Sequence, residues 1–171
     1  MHFDGALLGG LARDGGLYLP KSWPKFTSFE IASMRGLDYY QIAGKIISKF
    51  TTGDLNIDEV TQLAKDSYKD FTHPDVAPLT ALEHSLYVLE LFHGPTIAFK
   101  DYAMQFLARA FQRALAKKGG HSVILGATSG DTGSAALHAF QNLDSIDIFI
   151  LFPNGRVSPI QQKQMTSLAG L

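Results

Sequence analysis

The sequence contains no cysteine among its 171 residues. This absence excludes a disulfide framework, a thiolate metal site and a cysteine nucleophile. The six histidines show no metal-ligand spacing, so a structural role is the default for each and we expect no bound metal. An intracellular location fits this composition, and we predict that the protein is cytoplasmic.

An excess of charge of either sign is also missing. Fifteen basic residues stand against sixteen acidic ones, and the lysines and arginines are dispersed along the chain. This distribution argues against nucleic acid and anionic membrane as partners. The first residues carry no basic region that leads into an apolar stretch, and no uncharged apolar run approaches the roughly 20 residues of a membrane helix. We therefore expect neither export nor membrane insertion.

What is present is the composition of a folded domain with two different rhythms. Apolar residues make up 46% of the chain and charged residues 18%, close to the averages of globular proteins. From residue 3 to about residue 71, apolar side chains recur at steps of three and four, which predicts helices. We predict a helical amino-terminal region over residues 1–80.

From Ser85 onward, short apolar strands alternate with helices, which is typical of a parallel sheet built from β-α-β units. The predicted strands cover residues 86–92, 122–127 and 146–152, and the predicted helices cover residues 101–118, 132–142 and 158–168. The expected fold class is α/β, a three-layer open sheet over residues 81–171. With one crossover unfinished, such a sheet leaves an apolar face and a strand edge exposed. We expect the natural protein to continue beyond Leu171, or a partner chain to supply the rest.

The first segment that can carry chemistry is LFHGPTIAFKD, residues 91–101, where a Gly-Pro turn leads to Lys100 at the start of a helix. Functional groups in open α/β sheets gather at the carboxyl ends of strands. A cation is disfavoured at the positive end of a helix dipole, so Lys100 is more easily kept neutral there. A neutral amine can bond to an aldehyde cofactor. The alternative is a solvated surface lysine beside a helix start.

The second segment is GATSGDTGSAA, residues 126–136, a loop of glycines and small hydroxylated residues between a strand and a helix. Glycine allows close backbone approach to a ligand, and amides at a helix start attract anions. The glycine spacing is not the dinucleotide pattern, and no lysine follows as in a P-loop. The residues alone predict an anion site, such as one for a cofactor phosphate. The alternative is an ordinary turn with Asp131 or Thr132 as the helix cap.

A third segment, FPNGRVSP, residues 152–159, again follows a predicted strand and places Arg156 near a helix start. A guanidinium can bind a phosphate or a carboxylate through two parallel hydrogen bonds. The alternative is a surface arginine beside a turn.

These three segments, with GLARDGGLYLP at residues 10–20, resemble the threonine synthase family in order, spacing and identity. The resemblance covers nearly the whole chain. It implies the tryptophan-synthase-β-like fold, type II among pyridoxal-phosphate enzymes. It also implies a carbon-oxygen lyase that uses pyridoxal 5'-phosphate to convert O-phospho-L-homoserine and water into L-threonine and phosphate.

By the same resemblance, Lys100 matches the lysine that bonds to the cofactor and then moves protons. A run of five residues matches the loop that receives the substrate carboxylate beside the cofactor ring: Thr128, Ser129, Gly130, Asp131 and Thr132. Asp131 is thereby expected beside the cofactor as well as the substrate, and Arg156 is expected to bind substrate. The family's glycine- and asparagine-rich phosphate loop has no counterpart before Leu171, so we expect these residues alone to be inactive.

Two other interpretations remain open on the sequence. The same chemistry could serve a related substrate, in a threonine-synthase-like phospholyase or a hydroxy amino acid dehydratase. Alternatively, the scaffold could be a non-catalytic fragment or interaction module.

Overall fold

The first half of the chain is helical, as its apolar rhythm predicts. The computed structural model describes residues 1–168, and its contacts divide the chain into two units, Met1–Asp66 and Ser67–Leu171. The helices of the first half are α1 (Phe3–Gly9), α2 (Ser28–Ala32), α3 (Tyr39–Ile47) and α4 (Ile57–Tyr68), with a 3-10 turn at Ser48–Phe50. The last two residues of α4 fall in the second unit. A domain boundary near residue 80 stays a prediction about the whole protein.

Helix α2 begins with a capping box. The Glu30 backbone N–H donates to the Thr27 hydroxyl at 3.2 Å, and the Thr27 backbone N–H donates to the Glu30 carboxylate at 2.7 Å. The Lys49 ammonium lies 2.7 Å from the same carboxylate and 4.0 Å from the centroid of the Phe26 ring. The hydrogen bond from Lys49, followed by those from Thr27, lowers the pKa of Glu30 from 4.5 to about 2. A short helix is thus held by charge and capping together.

Helices α3 and α4 approach each other closely at one glycine. Gly44 is buried, and a Cβ at this position would collide with the side chain of Thr61. Val60 and Ala64 lie one turn apart on α4, and both are completely buried. The apolar stripe predicted from the sequence therefore faces the core.

The second unit starts with an antiparallel hairpin of β1 (Leu79–Glu83) and β2 (Leu86–Leu89), in which Leu79 pairs with Leu89 and Thr80 with Val88. The prediction of a strand over residues 86–92 in the parallel sheet was wrong on two points. The strand ends at Leu89, and its partner is β1 rather than a parallel strand. The cause is a two-residue reversal at His84 and Ser85, in which Ser85 takes a φ of 64°.

The parallel sheet contains β3 (Ser122–Ala127) and β4 (Ile146–Leu151), with Ile124 paired to Ile148 and Gly126 to Ile150. Helix α6 (Asp131–Phe140) connects the two strands, and α5 (Lys100–Lys118) and α7 (Pro159–Thr166) both pack against α6. This is the β-α-β unit that the sequence predicts. The fold class, α/β with a helical amino-terminal region, is confirmed.

Alanines form much of the core of this unit. The buried apolar residues of α5 and α6 are Ala108, Ala110, Ala114, Leu115, Ala135, Ala136, Leu137, Ala139 and Phe140. Small side chains let the two helices and the sheet approach closely.

One face of the β3–β4 sheet is apolar and exposed. Its residues alternate with the inward-facing isoleucines: Val123 and Leu125 on β3, and Phe149 and Leu151 on β4, are 57–69% exposed. Parallel sheets are normally covered on both faces. The expectation of an uncovered apolar face is met within residues 1–168.

Candidate functional site

The lysine loop, residues 94–100, consists of two consecutive tight turns that lead into α5. The Ile97 N–H donates to the Gly94 carbonyl at 3.1 Å, and the Asp101 N–H donates to the Ala98 carbonyl at 3.0 Å. Lys100 is the first residue of α5 and is half-buried, with its amine 4.4 Å from the centroid of the Phe99 ring. The structure therefore places Lys100 at the helix start that the sequence predicts.

A buried carboxylate braces this loop. Asp101 has no exposed surface, and its two oxygens accept from the Thr96 N–H at 2.8 Å and from the Thr96 hydroxyl at 2.7 Å. A Cβ on Gly94 would lie 2.5 Å from Asp101, so only glycine fits opposite the carboxylate. Sequence reasoning missed Asp101 and Thr96. The sequence pattern that could have indicated them is an acidic residue directly after the lysine, with a threonine five positions before that acidic residue.

The hydroxyl loop, residues 128–132, joins β3 to α6. The Thr128 N–H donates to the Leu151 carbonyl at 2.9 Å and so extends the parallel pairing by one residue. The Thr128 hydroxyl oxygen accepts from the N–H groups of Gly130 and Gly133, both at 3.3 Å. Gly130 is buried with a φ of 150°, a conformation that favours glycine. Thr128, rather than Asp131 or Thr132, therefore supplies the side-chain oxygen at the start of α6, where it receives the amide of Gly130 just before the helix and that of Gly133, the third helical residue.

The remaining residues of the hydroxyl loop differ in their exposure to solvent. Ser129 and Asp131 are exposed, and Thr132 is half-buried. Asp131 is the first residue of α6, and its carboxylate accepts from the Gln161 side-chain amide at 2.7 Å. The loop thus offers hydroxyls and amides around the start of a helix, an environment that suits an anionic ligand.

Two side chains of helix α7 form hydrogen bonds to the two loops. While the Gln161 amide donates to Asp131, the Gln164 amide donates to the Thr96 carbonyl at 3.1 Å. Sequence reasoning assigned no role to either glutamine. No local pattern marks them, because each bonds to a residue at least 30 positions away.

Arg156 is not brought to these loops. Its backbone N–H donates to the Pro153 carbonyl at 3.1 Å in a turn, and its side chain is exposed. Within residues 1–168, no hydrogen bond joins it to the lysine loop or the hydroxyl loop. A substrate-binding role for Arg156 stays a prediction.

His93 is hydrogen-bonded to Glu90 immediately before the lysine loop. Its Nε2 lies 2.7 Å from the Glu90 carboxylate, which also accepts from the Thr80 hydroxyl at 2.8 Å. The hydrogen bond from His93, together with that from Thr80, lowers the pKa of Glu90. This pair ties the segment that follows β2 back to β1, in keeping with a structural role for His93.

Two features are absent from residues 1–168. These residues contain no group of three His, Asp or Glu side chains that could hold a metal ion. None of their helices is both long enough and apolar enough to cross a membrane.

Comparison with known proteins gives a consistent result. A family model described as the threonine synthase N terminus matches residues 1–68. Threonine synthase from Pseudomonas aeruginosa is 48% identical over 170 residues, which is 99% of this chain. The chain matches the amino-terminal portion of the threonine synthase family.

Solved structures of threonine synthases agree. The pyridoxal-phosphate-bound threonine synthase from Brucella melitensis superposes on 97% of this chain with a TM-score of 0.92 and 52% sequence identity. The yeast threonine synthase superposes on 98% with a TM-score of 0.90 and 36% identity. The chain spans only 36% of the length of the Pseudomonas protein and 36% of each of the two structures.

Proposed function

We propose that the whole protein is a threonine synthase, a pyridoxal-phosphate enzyme of fold type II that converts O-phospho-L-homoserine and water into L-threonine and phosphate. The observation that carries the proposal is Lys100, half-buried at the start of α5. It occurs in a chain 52% identical to a threonine synthase whose structure holds pyridoxal phosphate. A cytoplasmic location is part of the proposal, supported by the lack of cysteine.

The residues of the lysine loop fit a coenzyme with an aldehyde. The Lys100 amine is the group that would bond to it. The buried Asp101 holds the residues before Lys100 through Thr96, so that the backbone from which the amine extends is held in place. When bound, pyridoxal phosphate withdraws electrons from an attached amino acid and so makes its carbon-bound protons removable. The free Lys100 amine would serve as the base and acid for those protons.

The hydroxyl loop is proposed to hold the substrate carboxylate. Its amides and hydroxyls at the start of α6 provide donors for an anion, and Ser129, Asp131 and Thr132 have accessible surface. Asp131 is proposed to lie beside both the substrate and the coenzyme, and Arg156 is proposed to bind the substrate. The coenzyme phosphate and pyridine nitrogen are assigned to the rest of the protein, so residues 1–171 alone are proposed to be inactive.

The decisive experiment uses the full-length enzyme and two lysines of the same helix. Lys100→Ala should remove covalent attachment of pyridoxal phosphate, measured as the mass added to the Lys100 peptide after borohydride reduction, and should abolish threonine formation. Lys118→Ala, at the exposed carboxyl end of α5, is the matched control and should leave both unchanged.

Three results would contradict the proposal. Reduced coenzyme found on another lysine would remove Lys100 from its role. Release of ammonia and a keto acid without threonine, from O-phosphohomoserine or a hydroxy amino acid, would favour a phospholyase or a dehydratase. Absence of any coenzyme binding would favour an interaction module.

A further inference from the structure

We propose that Gln161 and Gln164 of α7 are positioning residues that fix the spacing between the hydroxyl loop and the lysine loop. This inference rests on the proposed function for what the two loops bind. The hydrogen bonds from the two glutamines to the loops are observed whatever the loops bind. The two glutamines are three positions apart, so they lie on the same side of the helix and act from one rigid element.

The orientation of the Gln161 amide is determined by its neighbours. Its oxygen accepts from the Ser158 N–H at 3.2 Å and from the Ser158 hydroxyl at 3.1 Å. Its nitrogen therefore faces Asp131 and donates to the carboxylate at 2.7 Å. Charged acceptors form the stronger hydrogen bonds, so this contact is more than an incidental surface pair.

Gly130 lets this contact form. A Cβ at Gly130 would lie 2.5 Å from the amide carbon of Gln161, so the glutamine side chain rests directly on the backbone of the hydroxyl loop. Gln161 of α7 therefore packs against the outside of the loop, while the Thr128 hydroxyl holds it from within.

Gln164 performs the equivalent task at the lysine loop. Its amide donates to the carbonyl of Thr96, whose N–H and hydroxyl are already bound by Asp101. Thr96 is thus fixed by three hydrogen bonds from two directions. An unbroken series of contacts leads from Asp131 through α7 to Thr96, Asp101 and the start of α5.

Helix α7 is itself firmly seated. Met165 is 5% exposed, and its sulfur lies 3.0 Å from the position of a Cβ on Gly133 of α6. Because α7 cannot shift without opening this packing, the two glutamine contacts hold the loops at a set spacing. Holding reacting groups in place is a recognised source of catalytic rate.

The first test is Gln161→Glu in the full-length enzyme. Glutamate preserves the capping box with Ser158 but replaces the donor to Asp131 by a second negative charge. We expect the KM for O-phosphohomoserine to rise at least about tenfold, with a smaller change in kcat. In the protein without coenzyme, amide hydrogen exchange should accelerate in residues 128–134.

The matched control is Gln162→Glu. It makes the same charge change at the next residue of α7, which is exposed, and should alter neither KM nor exchange in residues 128–134. A rescue variant combines Gln161→Glu with Asp131→Asn, which reverses donor and acceptor and should restore slow exchange. Unchanged exchange in Gln161→Glu, or no restoration in the double variant, would overturn the role of Gln161.

The second test is Gln164→Glu. Its carboxylate cannot donate to the Thr96 carbonyl, so exchange should accelerate in residues 95–99 of the coenzyme-free protein. Attachment of pyridoxal phosphate to Lys100, followed by mass spectrometry after reduction, should slow several-fold. Behaviour identical to Gln162→Glu would overturn the role of Gln164.

The exchange measurements separate this inference from the proposed function. Local acceleration with no threonine synthesis by the parent enzyme would refute the function while supporting the positioning of the two loops. Threonine synthesis with no local acceleration in either variant would refute the positioning alone.

Discussion

Asp101 is the residue on which the lysine loop depends most directly. It is a fully buried carboxylate, and both of its oxygens accept hydrogen bonds from Thr96. Leaving a buried donor without its acceptor costs about 1–3 kcal/mol. Because Asp101 follows Lys100 in the chain, its contribution to stability and its contribution to the placement of the amine are inseparable.

We expect Asp101→Ala to lower the free energy of unfolding by about 2–4 kcal/mol, because it leaves both the N–H and the hydroxyl of Thr96 unsatisfied. Asp101→Asn should cause a smaller loss, since one acceptor oxygen remains. Urea denaturation would measure both. Asp70→Ala, which removes an exposed carboxylate, is the control. Equal losses in all three variants would show that the brace contributes nothing.

At the scale of single elements, the short helix α2 owes its stability to charges that can be titrated. The carboxylate of Glu30 both completes the capping box and pairs with Lys49. Its pKa is lowered from 4.5 to about 2, so the folded protein favours the ionised form more than the unfolded chain does. The resulting stabilisation is fully present above pH 4.5 and is lost as the pH falls towards 2.

Glu30→Gln should therefore be less stable than the parent at neutral pH and should approach it in stability at low pH. Denaturant unfolding at pH 7 and at a series of values between 4.5 and 2 would reveal this convergence. Glu83→Gln, an exposed change in β1, serves as the comparison. A difference between parent and Glu30→Gln that stayed constant down to pH 2 would contradict the assignment.

Most elements could be predicted because their apolar periodicity is local. The predicted range for β3 agrees with the structure, and α5 and β4 each differ from prediction by one residue at one end. The β1–β2 hairpin was missed because its turn, at His84 and Ser85, has neither glycine nor asparagine to mark it. Lys100 and the hydroxyl loop were predicted from motifs. Asp101, Gln161 and Gln164 were not, because their partners are defined only by the folded structure.

At the scale of the molecule, one face of the β3–β4 sheet is left uncovered by residues 1–168. Val123, Leu125, Phe149 and Leu151 form a contiguous apolar surface that solvent reaches. Apolar surface of this kind marks interaction sites or sites of aggregation. The chain spans 36% of the length of the Pseudomonas threonine synthase.

We expect residues 1–171 to bind an apolar fluorescent dye, and Leu125→Lys or Phe149→Lys to weaken that binding by placing a charge on the sheet face. Dye titration followed by fluorescence would measure the change. Ile31→Lys, at a position 60% exposed on α2, is the matched control and should have little effect. Equal binding by the parent and both sheet variants would show that the dye uses another surface.

The position of α7 along the chain has a consequence for biosynthesis. Both loops that the helix spans are translated before it, and the bond from Gln164 to Thr96 closes a separation of 68 residues. On the ribosome, the lysine loop and the hydroxyl loop therefore emerge before the two glutamines that bond to them. The hydrogen bonds from Gln161 to Asp131 and from Gln164 to Thr96 can form only when residues 159–166 have left the exit tunnel.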